Sequence, residues 1–305
     1  REKNLKELIN LQLMIFSLIA LGLFVRKAGI VGKTGQKNMT DLVVKLVLPC
    51  NIVQSFLIRF SADIARNFMG IFIISLLIQA GCVLMGHWLF RKTGEERRKC
   101  LRYGIICSNA GFMGNPLALG VFGTMGLTLA SIYLIPQRVM MWSEGIAVFT
   151  EAPSKRMLLK KVMTHPCIIA CGLGLFFMLT GIRPPEFALD VISSVSSCNT
   201  ALSMMVIGMI LADADPRTLF DRDIFAYSFL RLAGIPFLVW LGCSLCHVDP
   251  LVSGVSVLLA AMPAGATTTI LAAQYNGDAE FAVKLVVFST AASLITTPLW
   301  SMVLL

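Results

Sequence analysis

Ser108-Asn109-Ala110-Gly111-Phe112-Met113-Gly114-Asn115-Pro116 lies inside a run of 35 positions, Tyr103 to Gln137, that carries no charged residue. A second stretch, Met262-Pro263-Ala264-Gly265-Ala266-Thr267-Thr268-Thr269, interrupts another uncharged run, Leu251 to Gly277. The second run matches the ~20 apolar residues a helix needs to cross a bilayer, and the first, too long for one span, must hold two. Yet Pro lacks the backbone N–H, and Gly costs ~1 kcal/mol against Ala inside a helix. Each stretch therefore predicts a break near the middle of a spanning helix. Non-helical backbone at that depth survives only where it is buried or lines a cavity.

Working outward, Leu8 to Val25, Asn67 to Phe90 and Val191 to Ala212 are further spans. In 305 residues, 56% are hydrophobic and 14% charged, with mean hydropathy +0.78. A soluble chain carries about 25% charge, so this one is expected to be an all-α polytopic membrane protein. Ten transmembrane helices are read at 5–25, 39–60, 66–90, 99–122, 125–150, 158–182, 187–212, 223–247, 250–276 and 279–304, the fourth and fifth dividing near Gly123 to Gly126. The net charge of +9 does not point to nucleic acid, because most cations lie in short loops. Loops on one side hold 16 Lys and Arg, those on the other 6. The richer side is cytoplasmic by the positive-inside rule, which leaves both termini outside.

Sliding the chain by 154 residues sets Ala110-Gly111 on Ala264-Gly265, Leu117-Ala118 on Leu271-Ala272 and Gly123 on Gly277. That offset maps span 4 onto span 9 and divides the chain into 1–153 and 154–305. Five spans per half is odd, so the halves are expected as inverted repeats, a mark of secondary transporters. The broken helices 4 and 9 would then cross, aiming half-helix N-termini at the bilayer centre. Asn115-Pro116 suits an N-cap and first turn, and Thr268 or Thr269 a second cap. Those ends carry partial positive charge and free N–H groups, which suit an anion. Thr267 adds a third hydroxyl there.

Lys45, Arg138, Arg231 and Lys284 fall inside spans, while Glu144 is the single acid clearly inside. Embedded ionisable groups are usually functional, and the cationic excess favours an anionic substrate. Arg138, following the first break, is the expected attractive cation. Glu144 is the candidate proton carrier, or else a structural partner for a cation. Lys45 is expected to pair with Asp41, and Lys284 and Arg231 to reach the interface. No His-Glu-x-x-His, Gly-x-Ser-x-Gly, P-loop or paired carboxylates occur, so an enzyme is not expected. Neither metal nor cofactor is expected, since Cys243-x-x-Cys246-His247 lies at the end of an apolar span.

Asn109-x-x-Phe112-x-Gly114-x-Pro116-Leu117 resembles the auxin efflux carrier family, whose bacterial members include malate and malonate permeases. Leu48-Pro49, His165-Pro166, Pro236 after Arg231, Gln274-Tyr275-Asn276-Gly277-Asp278, Ser289-Thr290 and Thr297-Pro298 extend the likeness along the chain. The short connection near Glu151 to Lys155 is of the bacterial kind. The resemblance implies the fold of bile-acid sodium symporters, with spans 1, 2, 6 and 7 as scaffold and spans 3–5 and 8–10 as transport unit. It also implies that Asn109, Pro116 and Pro263 contact the substrate carboxylate, with Phe112 and Gly114 in the same motif. Homodimers occur in related folds. No embedded acidic cluster is seen, so proton coupling or uniport is expected over sodium. The expected function is elevator-like transport of a small organic anion across a prokaryotic plasma membrane. A receptor or sensor for a lipid or sterol, and a passive anion channel, stay open as alternatives.

Overall fold

In the computed structural model of the chain, residues 2–58, 61–149, 155–212, 221–275 and 277–304 are described, and all regular structure among them is helical. In chain order the helices are α1 (Glu2–Lys27), α2 (Lys33–Leu42), α3 (Leu48–Ser55), α4 (Ala62–Trp88), α5 (Glu95–Ile106), α6 (Asn115–Trp142), α7 (Glu144–Ala147) and α8 (Lys155–Met163). They continue with α9 (Pro166–Thr180), α10 (Glu186–Ser197), α11 (Asn199–Ala212), α12 (Arg222–Phe229), α13 (Ile235–Leu245), α14 (Pro250–Ala260), α15 (Thr267–Gln274) and α16 (Ala279–Leu304).

Among the described residues, five helical runs are long and apolar enough to cross a membrane: Ala62–Trp88, Ala110–Met141, Glu186–Ala212, Arg222–Leu245 and Ala279–Leu304. Several of the expected spans are interrupted. The fourth and ninth are cut at 107–109 and 261–266, and α9 begins only after Thr164-His165. The fifth, expected to run to 150, stops at Trp142, because Ser143 leaves helical dihedrals (φ −109°, ψ −89°). The expected division near Gly123 is a kink at Gly123 alone, with φ 67° and ψ −162°.

Proline also shapes three helices without ending them. Five-residue π-turns, Val43–Val47, Ala110–Gly114 and Leu230–Gly234, each lie just before Leu48-Pro49, Asn115-Pro116 and Ile235-Pro236. The proline ring collides with the carbonyl four residues back, and a wider turn relieves that collision.

Polarity is inside out relative to a water-soluble protein. On α4, Met69, Ile73, Leu76, Leu77 and Leu84 are exposed, while Ser75 and Gln79 are buried. On α16, Ser289, Thr290, Ser293, Thr297 and Ser301 all face inward. Ser75 donates to Tyr133 O of α6 at 2.6 Å and Ser301 to Thr297 O at 2.9 Å, while Thr297 Oγ1 has no partner. An apolar exterior over a polar, hydrogen-bonded interior is what hydrocarbon solvent selects. α1 and α11 come closest of all, because Gly22 and Gly208 let the backbones touch; a methyl on either would overlap the other helix at Met205 O or Ile19 O.

Two apolar cores form. One joins Ile15, Ile52, Phe56, Leu117, Leu258 and Met262; the other joins Tyr103, Ile106, Tyr227, Ala260, Ala264 and Leu285. The two helix interruptions lie on the seam between these cores.

Candidate functional site

The interruptions meet each other. Ser108 and Ala264 form an isolated antiparallel bridge. Asn109 N–H donates to Pro263 O at 2.8 Å, and Gly265 N–H to Cys107 O at 3.1 Å. Backbone groups freed by the two breaks therefore satisfy one another, as buried backbone must. Gly265 permits this approach, since a Cβ there would stand 3.2 Å from Cys107 O and 3.4 Å from Ser108 O.

Side chains hold the meeting of the two breaks from three further elements. Gln137 of α6 accepts from Ser108 Oγ (3.3 Å) and donates through Nε2 to Ser108 O (2.8 Å). Ser289 of α16 accepts from Ala264 N–H at 3.2 Å. Arg231, in the third π-turn, donates from Nε to Met262 O and from Nη1 to Ile105 O, both at 3.1 Å. Composition did not single out Gln137 or Ser289. Arg231 was expected at the interface, and the structure corrects that: it is 2% exposed.

The sequence-predicted site residues fall on both sides of this meeting point. Asn109 and Pro263 are joined directly by the backbone hydrogen bond. Phe112 and Gly114 lie in the π-turn that follows, with Phe112 half-buried and Gly114 against Leu259 and Met262. Asn115 is not the expected N-cap. The half-helix starts earlier, at Ala110, because the π-turn comes first, and no side chain caps it. Asn115 is fully buried, and neither its Oδ1 nor its Nδ2 has a hydrogen-bond partner. Pro116 occupies the first turn of α6.

Across the seam, Ala266 rather than a threonine precedes α15, and it gives no side-chain cap. Thr268 and Thr269 N–H are consumed by Gly265 O (3.0 Å) and Ala266 O (3.2 Å). Thr269 Oγ1 also returns to Ala266 O at 2.7 Å. Thr267 is half-buried and lies beside the Tyr103 ring hydroxyl. Thr268 is fully buried with an unpartnered Oγ1.

Arg138 is 6% exposed, and its Nη1 has no hydrogen-bond partner. A methyl on Gly111 would sit 3.8 Å from its Nη2, so the guanidinium borders the second π-turn, Ala110–Gly114; it also faces Cys167 and His165 at the start of α9. Glu144 differs from expectation. Its neighbours are not Arg138, Lys45 or Arg231: it opens α7 with a side chain 33% exposed, 4.0 Å from both Arg102 Nη2 and His87 Nε2. Lys45 pairs with Asp41 at 3.0 Å and Lys284 with Glu280 at 2.6 Å, both one turn apart. Nearer the α5 start, Arg97 bridges Asp221 (3.1 Å) and Asp278 (3.2 Å), the residues before α12 and α16. A cavity of about 870 Å³ opens elsewhere, lined by Gln54, Thr124, Arg183, Asp190 and Ser193 between α3, α9 and α10.

The profile of the Membrane transport protein family matches the chain twice, over residues 8–158 and 152–301. The chain belongs to this family. It is the auxin efflux carrier type that the crossing residues resemble, and the chain is a transporter rather than an enzyme. An uncharacterized transporter of Methanothermobacter thermautotrophicus is 26% identical over 308 residues, covering 96% of this chain and 97% of the relative. Another from Methanocaldococcus jannaschii is 23% identical over 302 residues, with coverage of 96% and 97%. The uncharacterized transporter YfdV of Escherichia coli is 22% identical over 308 residues, with coverage of 94% and 95%. This Membrane transport protein thus has full-length prokaryotic relatives, each a transporter by name.

Proposed function

We propose that the chain carries a small organic anion, a carboxylate, across the membrane by alternating access, binding it where the two interrupted helices cross. The observation that carries this reading is the set of buried donors without partners beside that crossing: Asn115, Thr268 and Arg138 Nη1. A polar group left unpaired in hydrocarbon costs several kcal/mol, so a ligand that fills these donors explains their retention. N-terminal half-helix ends and a guanidinium select an anion over a cation.

Ten crossings in two inverted five-helix repeats, 1–153 and 154–305, fit the two matches of the family profile, one per half. Span 5 holds the first break through Gln137 and span 10 the second through Ser289, which suits repeat-related roles. Spans 1, 2, 6 and 7 would be the scaffold and spans 3–5 and 8–10 the moving unit, with both termini outside. Asn109, Phe112, Gly114, Asn115, Pro116, Pro263, Thr267, Thr268, Thr269 and Arg138 would line the site. Glu144, paired with Arg102 and His87, would be the proton carrier if transport is proton-driven.

Binding of mono- and dicarboxylates to detergent-purified protein tests the reading. Asn109→Ala and Thr268→Val are expected to weaken binding tenfold to a hundredfold, each removing a bond worth ~1.5–3 kcal/mol to a charged group. Wild-type affinity in both variants would reduce the crossing to a pair of kinks. Indifference of the parent to every carboxylate, with a response to sterols or lipids, would favour a sensor.

A further inference from the structure

α5 and α14 both end at the crossing, at Ile106 and Ala260. Each helix C-terminus carries about half a negative charge on carbonyls that lack a partner within the helix. Two such ends converging in hydrocarbon repel each other, and both repel an anion. Between them lies Arg231, whose guanidinium reaches Ile105 O and Met262 O at 3.1 Å each and Cys82 Sγ at 3.9 Å. Ile105 belongs to the last turn of α5, and Met262 lies just beyond α14. Among the described residues Arg231 enters no ion pair with a carboxylate, so its charge is set against backbone dipoles alone.

The π-turn Leu230–Gly234 ahead of Pro236 is what brings Arg231 into the seam at 2% exposure. A buried guanidinium is expensive unless its donors are filled. Its fixed fork can hold two carbonyls at once, which a lysine ammonium on a single flexible stem does less well.

We propose that Arg231 is a positioning residue that pins the two interrupted helices together and cancels their negative ends, leaving the crossing selective for an anion. It bonds backbone of both interrupted helices and leaves the unpartnered donors of Asn115, Thr268 and Arg138 free for the substrate. The selectivity part rests on the crossing being the carboxylate site; the pinning part does not.

The test uses Arg231→Ala, Arg231→Met and Arg231→Lys in the full-length protein. Amide hydrogen exchange is read over residues 105–110 and 262–268, which contain the cross-break N–H groups of Asn109 and Gly265. Exchange there is expected to rise roughly tenfold in the Ala and Met variants while α4 stays protected, since local opening is set by local contacts. Millimolar guanidinium chloride should restore protection to Arg231→Ala, and equal sodium chloride should not. Succinate and benzoate binding should fall and return in parallel. Wild-type exchange in Ala or Met, acceleration spread equally through α4, or equal rescue by sodium would overturn the proposal. Should those two variants fail to fold, Arg231→Lys decides: wild-type exchange there refutes the two-carbonyl pin. Altered exchange with no carboxylate binding in any protein would leave the pin standing and sink the substrate reading alone.

Discussion

Gln137→Leu removes the side chain that holds Ser108 and leaves the helix volume nearly unchanged. Gln137 is 5% exposed and makes two bonds to Ser108, at 3.3 and 2.8 Å. With leucine in place, the carbonyl and the hydroxyl of Ser108 both lose a partner. A typical hydrogen bond is worth ~0.5–1.5 kcal/mol net, a buried orphan costs ~1–3 kcal/mol, and bonds inside helical membrane proteins average near ~0.6 kcal/mol. Two bonds therefore give a loss of about 1–3 kcal/mol. At ~2–4 °C per kcal/mol this is a fall in Tm of roughly 2–12 °C. Ser108→Ala removes only the longer bond and should cost less than half as much. Tryptophan fluorescence melting of the purified variants in one detergent measures both. A Gln137→Leu protein melting within about 1 °C of the parent, or a Ser108→Ala protein melting lower than it, would refute the reasoning.

Three further outcomes follow from other positions. Gly123 has φ 67° and ψ −162° with nothing within 4 Å of an added methyl, so Gly123→Ala should lose ~1–3 kcal/mol as backbone strain alone, read by the same melting experiment. Gly208→Val drives a branched side chain into Ile19 O and should part α1 from α11, at ~1–3 kcal/mol or more; Gly172→Ala, facing open space, is the neutral control. Arg97→Ala breaks two ion pairs of a side chain 46% exposed, so the loss should be ~0.2–1 kcal/mol per pair and should shrink as salt is raised.

The places where the chain breaks were legible, because Gly, Asn and Pro cannot sit mid-run without consequence. The π-turns ahead of Leu48-Pro49, Asn115-Pro116 and Ile235-Pro236 were not read from the sequence, where Asn115-Pro116 was expected as a cap. Pairing at one-turn spacing, as in Lys45 with Asp41, was legible, being local. Depth was not. Arg231 and Glu144 look alike as embedded charges, yet one is sealed and the other is one-third exposed. That difference is set by a π-turn that rotates Arg231 inward and by the end of α6 at Trp142, neither of which hydropathy registers. Gln137 escaped notice because uncharged amides do not stand out in an apolar run, although in hydrocarbon they need a partner as surely as charges do.

The bridge between Ser108 and Ala264 joins residues half the chain apart. During synthesis the first interruption is made long before its partner exists, so Cys107 O and Asn109 N–H await their partners Gly265 and Pro263. Loop closure over that distance comes late, and contacts of this separation slow folding. The early half must therefore be sheltered by water, lipid headgroups or insertion factors until residue 265 arrives. Two fragments, 1–153 and 154–305, made separately should each be unstable at its own break and should rescue each other when co-expressed.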